Sequence, residues 1–344
     1  MVDWMLTFFS DLPPLLLLVV GLVLLLRGAD WLVEGAVAIA RRMGWSPLII
    51  GLTLVAFGTS APELAVNIFA ATSGNVGLSF GNIIGSNIAN IGLVIGVGAI
   101  VAPMDVHSRV IRRELPWLLV VTVGTIGLIF FGPTMLQTET GSFIYGIHRL
   151  DGLLMLVVFI GFCFFWYRTA RADSWDPLTV EAVREAQEVA TESPLRSWML
   201  FAVGLVALLS GGKLTESGAV GIARWLGLSD TLIGMTVVAI ATSLPEVFTV
   251  IAAARKGHPD IAVGNVVGSN IFNLLLVLGI TAMIGAIPLP EGGLADLLVM
   301  LGMTLLLMLV VVTSQKRQVN RIEGLVLLAI FSAYLTWRVL REAL

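Results

Sequence analysis

Charge is what this sequence has least of. Asp, Glu, Lys and Arg make up 12% of its 344 residues, against roughly 25% in an ordinary soluble domain. Hydrophobic types make up 57%, a balance that argues against a water-soluble fold. The net charge of -3 is small and spread among loops, so it gives no case for nucleic acid or for an acidic partner. The single cysteine, Cys163, sits in an apolar run. It cannot form an intrachain disulfide and carries no information on compartment. No basic residue precedes Arg27, so the first apolar run lacks the charged start of a cleaved leader and is expected to be retained. No paired nucleophile and base and no metal-hydrolase motif appears, which counts against an enzyme. Nor is there a ring-like filter motif, which counts against a passive cation channel.

What is present is apolar sequence in long blocks. A transmembrane helix needs about 20 mostly apolar residues, and the blocks between polar or Pro/Gly-marked breaks predict ten spans. They lie near 13–40, 47–72, 78–102, 113–132, 148–168, 196–223, 230–255, 261–286, 294–313 and 322–340. Ten spans put both termini on one side. Fourteen basic residues, from Arg41 and Arg42 to Arg321, then collect on one face, against Arg149, Arg224, Arg338 and Arg341 on the other. Basic loops stay in the cytoplasm, so both termini are expected outside. The expected division is a first five-helix unit at 1–168, a cytoplasmic linker at 169–195 and a second unit at 196–344. Within the linker, Thr179 to Ser193 reads as a short helix with a solvated face carrying Glu181 and Glu185, stopped by Pro194.

The two units repeat one another. Residues 21–96 align with 204–279 at a constant shift of 183 without a gap, and 37 of the 76 pairs are identical. One block sets Gly51 to Glu63 beside Gly234 to Glu246, each ending in Thr-Ser-X-Pro-Glu. A second sets Gly81-Asn-Ile-Ile-Gly-Ser-Asn-Ile-Ala-Asn90 beside Gly264-Asn-Val-Val-Gly-Ser-Asn-Ile-Phe-Asn273. A shift that crosses five spans, an odd number, sends the second copy into the membrane from the opposite side. The expected fold is therefore an all-α membrane protein of ten transmembrane helices in two inverted five-helix repeats, with helices 2 and 7 broken at the centre. That plan is common in transporters that bind substrate near the bilayer midplane.

Carboxylates inside a span are costly and face a cavity or a partner. Here Glu63 and Glu246 fall at equivalent depths, each one residue after a proline. Proline removes the hydrogen bond to the carbonyl four residues earlier, which frees backbone oxygen near Gly58 and Ala241. Thr59 and Ser60 lie four and three residues before Glu63 and crowd one side of a helix with it. Thr242 and Ser243 repeat this before Glu246. Asn82, Ser86 and Asn90 make a polar stripe on the next span, as do Asn265, Ser269 and Asn273. Gly81 and Gly85, like Gly264 and Gly268, leave room for close helix approach. The inventory is all oxygen, without histidine or cysteine, which suits a hard cation such as calcium with its 6–8 oxygen ligands. Asn90 and Asn273 are amides, so the site holds two acids rather than three.

In these two motif pairs and in the ten-span plan, the sequence resembles the cation/calcium antiporter superfamily, in its sodium/calcium exchanger branch. The resemblance implies alternating calcium and sodium occupancy of one central site, with no cofactor beyond the transported Ca2+ and Na+. By motif position, Glu63 and Glu246 would hold calcium with the carbonyls of Thr59 and Thr242. Ser60, Ser86, Ser243 and Ser269, with the carbonyls of Ala56 and Ala239, would form flanking sodium sites. Asp is found at the position of Asn273 in potassium-dependent relatives, so potassium cotransport is not expected. Ala241 stands where the first copy has Gly58, which is expected to stiffen or shift the second break. The first and sixth spans resemble a sliding gate bundle, and Asp30 and Lys213, equivalent under the repeat, could pair across it or snorkel to the interface. The short linker lacks the large regulatory domains of animal relatives, which implies a bacterial or archaeal plasma membrane. A proton-coupled calcium antiporter is the nearest alternative, although such relatives carry Gly-Asn-X-X-Glu where this chain has Thr-Ser-X-Pro-Glu.

Overall fold

The computed structural model describes residues 13–74, 76–106, 109–131, 136–137, 143–173, 193–227, 239–314 and 317–343. The short helix expected at 179–193 and the start of the span expected at 230–255 fall outside them. Helix α1 is Pro14–Met43; α2, Pro47–Thr59, meets α3, Ala61–Thr72, at a 43° bend. Then come α4 (76–101), α5 (Val110–Phe131) and α6 (Arg149–Asp173). The second half runs through α7 (Pro194–Trp225), α8 (Ala239–Thr242), α9 (Leu244–Arg255), α10 (Pro259–Ile284), α11 (Gly293–Thr313) and α12 (Arg321–Ala343). Eight of these helices are long and apolar enough to cross a membrane, nine if the bent pair counts as one span.

Local sequence explains the boundaries. Proline opens α1, α2, α7 and α10, at the turn where its missing N–H has no partner to lose. Gly44, at φ 65°, supplies the left-handed residue that ends α1.

Close packing of α1 on α7 rests on glycines spaced by seven. Gly21 faces Thr215 and Gly211, Gly28 faces Leu208 and Gly204, and Gly35 faces Phe201. A Cβ built on any of the three would come under 3.0 Å from backbone of α7. Their equivalents Gly204, Gly211 and Gly218 press on α1 in the same way. Without a hydrophobic drive between helices in lipid, such backbone approach is what association depends on. The partners descend along α7 as they ascend along α1, so the two helices are antiparallel.

That geometry corrects one expectation. Lys213 bonds Glu216 one turn away at 2.9 Å, while Asp30 offers its backbone oxygen to Lys256 at 3.0 Å. Asp30 and Lys213 do not pair because antiparallel packing displaces them by seven residues, about 10 Å along the axis.

The rest of the fold exchanges elements between halves. Strand β1 (Met104–Asp105), which follows α4, pairs with β6 (Gln318–Val319), which precedes α12. Strand β5 (Ile287–Pro288), which follows α10, pairs with β4 (Gly146–Ile147), which precedes α6. The remaining pair is local, β2 (Leu136–Gln137) with β3 (Phe143–Ile144). Gly96 faces Gly324, and its equivalent Gly279 faces Gly152, so α12 packs on α4 and α6 on α10. Both α4 and α10 sit at the centre, with 78% of their apolar windows buried, against 17–44% for the other six full-length spans. They also share a change of pitch. Single π-helical stretches begin at Asn90 in α4 and at Asn273 in α10, a feature that collects at functional sites.

Candidate functional site

The two breaks lie where the prolines predict them. Ser60, between α2 and α3, has φ -86° and ψ 3°; Ser243, between α8 and α9, has φ -89° and ψ 0°. Both values fall in the sparsely allowed bridge region. The two serines thus share one backbone conformation, with Gly58 preceding the first break and Ala241 the second. Pro62 and Pro245 enter the first turns of α3 and α9, which carry Glu63 and Glu246 into the protein at 3% and 2% exposure. Glu246 lies within electrostatic reach of Glu63 and of the Thr59 hydroxyl.

Around them the expected polar residues are buried: Thr59, Ser60, Ser86, Asn90, Ser243, Ser269 and Asn273. The Thr59 hydroxyl donates to Asn265 Oδ1 at 3.1 Å and stands 3.5 Å from Ser269 Oγ, which joins the first break to the stripe on α10. Ala56 carries a carbonyl that accepts from Ser60 N at 3.0 Å. Thr242 is half-buried at the end of α8, whose first residue is Ala239. Gly264 and Gly268 press on Leu48 and Leu52 of α2. Gly81 and Gly85 meet no described atom within 4 Å, and most of the segment that the repeat sets opposite them, 231–239, lies outside the described residues.

Five acidic side chains are buried among the described residues, and they differ in how fully they are partnered. Glu114 accepts from Arg113 Nε at 2.7 Å and from Trp166 Nε1 at 3.1 Å. Asp296 accepts from Tyr334 at 2.8 Å and lies 3.2 Å from Arg338 Nε. Asp151 caps the start of α6 by accepting from His148 N at 2.9 Å, and its Oδ1 is buried without a partner among the described residues. Glu63 and Glu246 have no cationic partner among the described residues, and each keeps a buried Oε2 with none at all. Ser60 Oγ at the first break, Asn67 Oδ1 on α3, Asn87 Oδ1 on α4 and Asn273 Oδ1 on α10 are also buried and without a partner among the described residues. An unpaired buried carboxylate costs several kcal/mol, so the two at the breaks call for a positive partner that the described residues do not supply. They can act as ligands to a cation that prefers oxygen. No group of three or more His, Cys, Asp or Glu forms among the described residues, which leaves hydroxyl, amide and carbonyl oxygens to complete any coordination.

Three buried amides belong to the same neighbourhood and were missed by the four-residue stripe. Asn90 Nδ2 donates to Asn270 Oδ1 at 3.0 Å, and Asn270 Nδ2 donates to the Asn87 carbonyl at 3.3 Å, which ties α4 to α10. Asn87 and Asn270 are equivalent under the shift of 183, so the repeat itself was the signal. Asn67 has no such signal, because its equivalent is Val250.

A multi-pass helical membrane protein with two unpaired buried acids at paired helix breaks is, as a class, an ion transporter. The chain belongs to the sodium/calcium exchanger family, in its prokaryotic-type branch: the family described as sodium/calcium exchanger protein matches residues 13–168 and 196–340. This is a family of membrane exchangers of sodium and calcium ions. The protein is similar to CaxA of Alkalimonas amylolytica, 42% identical over 318 residues that cover 92% of this chain and 95% of that one. Its identity with the inner membrane protein YrbG of Escherichia coli is 37% over 271 residues, 78% of this chain and 79% of the relative. Among solved structures it resembles the sodium-calcium exchanger NCX_Mj soaked with Na+ and Sr2+, with TM-score 0.76, 30% identity and coverage of 94% and 97%.

Proposed function

We propose that this protein exchanges sodium for calcium across a prokaryotic plasma membrane by alternating access to one central site. The observation that carries the reading is the pair of buried carboxylates, Glu63 and Glu246, left without a cationic partner among the described residues at two matched helix breaks. Calcium takes oxygen ligands in flexible geometry, and two carboxylates balance its charge. Glu63 and Glu246, with the carbonyls of Thr59 and Thr242, hold calcium in this scheme. Sodium is held beside it by Ser60, Ser86, Ser243 and Ser269 and the carbonyls of Ala56 and Ala239, while Asn90 and Asn273 line the same site. Potassium has no third acid to engage.

The architecture behind the scheme is ten spans in two inverted repeats, 1–168 and 196–344, joined by a cytoplasmic linker at 169–195 with both termini outside. The glycine-packed pair α1 and α7 moves as one unit past the core that holds the site. The similarity to a sodium-calcium exchanger crystal soaked with Na+ and Sr2+ supports this choice of ions.

The test is transport by the purified protein. Proteoliposomes loaded with sodium and diluted into sodium-free medium should take up radioactive calcium, and collapsing the sodium gradient should stop it. Uptake that ignores sodium and follows a pH gradient would reassign the protein as a proton-coupled antiporter. Uptake down the calcium gradient alone would make it a channel.

A further inference from the structure

The two halves of the site differ at one buried position. Asn67, one turn after Glu63 in α3, is fully buried. Its Nδ2 donates to the Glu63 carbonyl at 2.6 Å and to Asn82 Oδ1 on α4 at 2.7 Å. Both amide protons are used, and both partners are acceptors, so the side chain has one allowed orientation; turned over, it would set its own oxygen against two others. The first bond alone would be a local bond back to the helix. The second makes it a staple between the turn that carries Glu63 and the polar stripe of α4.

The other half is built differently. The position matching Asn67 is Val250, also fully buried, and it can donate nothing. Asn265, which matches Asn82, accepts instead from Thr59 of the first half. The geometry points to Asn67 as a positioning residue for calcium, one that holds the backbone bearing the Glu63 carboxylate in register with the α4 stripe, while Glu246 has no such staple among the described residues. This rests on reading Glu63 as a calcium ligand. Outer partners that fix a metal ligand matter because a ligand already in place has no ordering cost at the moment of binding.

Asn67→Val installs the residue that the second half carries and breaks both bonds without opening a large cavity. Calcium binding to the purified protein and sodium-driven uptake in proteoliposomes are measured together. The expected result is a dissociation constant and a KM for calcium raised about tenfold, with maximal rate and melting temperature close to wild type. Asn82→Ala breaks the same staple from a half-buried residue and covers the case in which Asn67→Val does not fold. Once the staple is gone the double variant has nothing more to lose, so its KM should match the single variants. An unchanged KM overturns the proposal. So do effects that multiply in the double variant, or a maximal rate that falls in step with affinity, since either marks a structural role. Wild-type protein that binds calcium but shows no sodium-driven uptake would sink the antiport reading instead, and the binding measurement would still decide Asn67.

Discussion

A single methyl group at Gly28 tests whether α1 and α7 form one unit. The Cβ of Gly28→Ala would lie 2.5 Å from Leu208 N and 2.9 Å from both Leu208 Cα and Gly204 O. Ordinary contact begins at 3.4 Å, and the obstructing atoms are backbone, so no side chain can turn aside. The helices must part by about 1 Å, a disturbance of the kind that costs about 1–3 kcal/mol in packed interiors. Alanine's better helix propensity returns at most about 1 kcal/mol, which leaves a net loss. Gly211→Ala, the equivalent substitution on α7, meets Leu25 N at 2.6 Å and Gly21 O at 2.8 Å and should cost about as much. Gly161→Ala on α6 meets no described atom within 4 Å and gains the propensity alone. Purified variants are heated in detergent and the monodisperse fraction is followed by size-exclusion chromatography. The Gly28 and Gly211 variants should lose their folded peak several degrees below wild type, and the Gly161 variant at or above it. If Gly28→Ala survives as well as Gly161→Ala, the interface is not held by backbone contact and the reasoning fails.

Buried acids with and without a cationic partner give a second contrast. Glu63→Gln and Glu246→Gln each remove an unpaired charge, so both should abolish calcium uptake while the protein melts no lower than wild type. Glu114→Gln strips Arg113 of its counter-charge and should lower the melting temperature while the calcium dependence of uptake persists; the opposite pattern would mean that the acids are misassigned. A third test concerns the loop between α9 and α10, where burial, followed by the nearby charges of Arg41 and Lys256, pushes the His258 imidazole below its usual value of 6.5 against the opposing pull of Asp260. The folded chain then resists protonation, so the stability linked to His258 is complete above about pH 6.5 and is lost as the pH falls below it. Melting curves of His258→Gln should overlay wild type at about pH 8 and lie above it at about pH 5, and parallel curves would remove His258 from the account.

Much of the site was legible because its chemistry repeats. Apolar blocks located the spans among the described residues to within a few residues, as in the expected 196–223 against the observed Pro194–Trp225. Thr-Ser-X-Pro-Glu located both breaks, because proline at that spacing can do little else to a helix. The unread parts are pairings between distant helices. Nothing in the sequence near Glu114 or Asp296 announces that Trp166 and Tyr334 complete their shells, so buried structural acids could not be told from the central pair by pattern alone. Asn87 and Asn270 were visible in the repeated block but fell between positions of the stripe. A period of four captures one line along a helix, whereas the Asn270 amide looks sideways to α4 and meets Asn90 and the Asn87 backbone carbonyl there.

Asp30 and Lys213 show the limit of reasoning from a repeat. Equivalence under the shift of 183 is a statement about sequence, whereas contact between antiparallel helices follows a different rule, with one number rising as the other falls. Residues 21, 28 and 35 meet 215, 208 and 201, so equivalent positions coincide only near residue 27 on α1 and residue 210 on α7. Away from that level they separate by two residues for every one travelled along the helix. Asp30 and Lys213 are already apart, and each takes a partner from its own surroundings, Lys256 and Glu216. The same rule gives the nearness of Glu63 and Glu246 its meaning. If the halves are inverted as proposed, equivalent residues on oppositely directed elements come together where the halves cross, and the proline breaks would stand at that level. In the proposed exchange, a cation held between them would then be within reach of either side in turn.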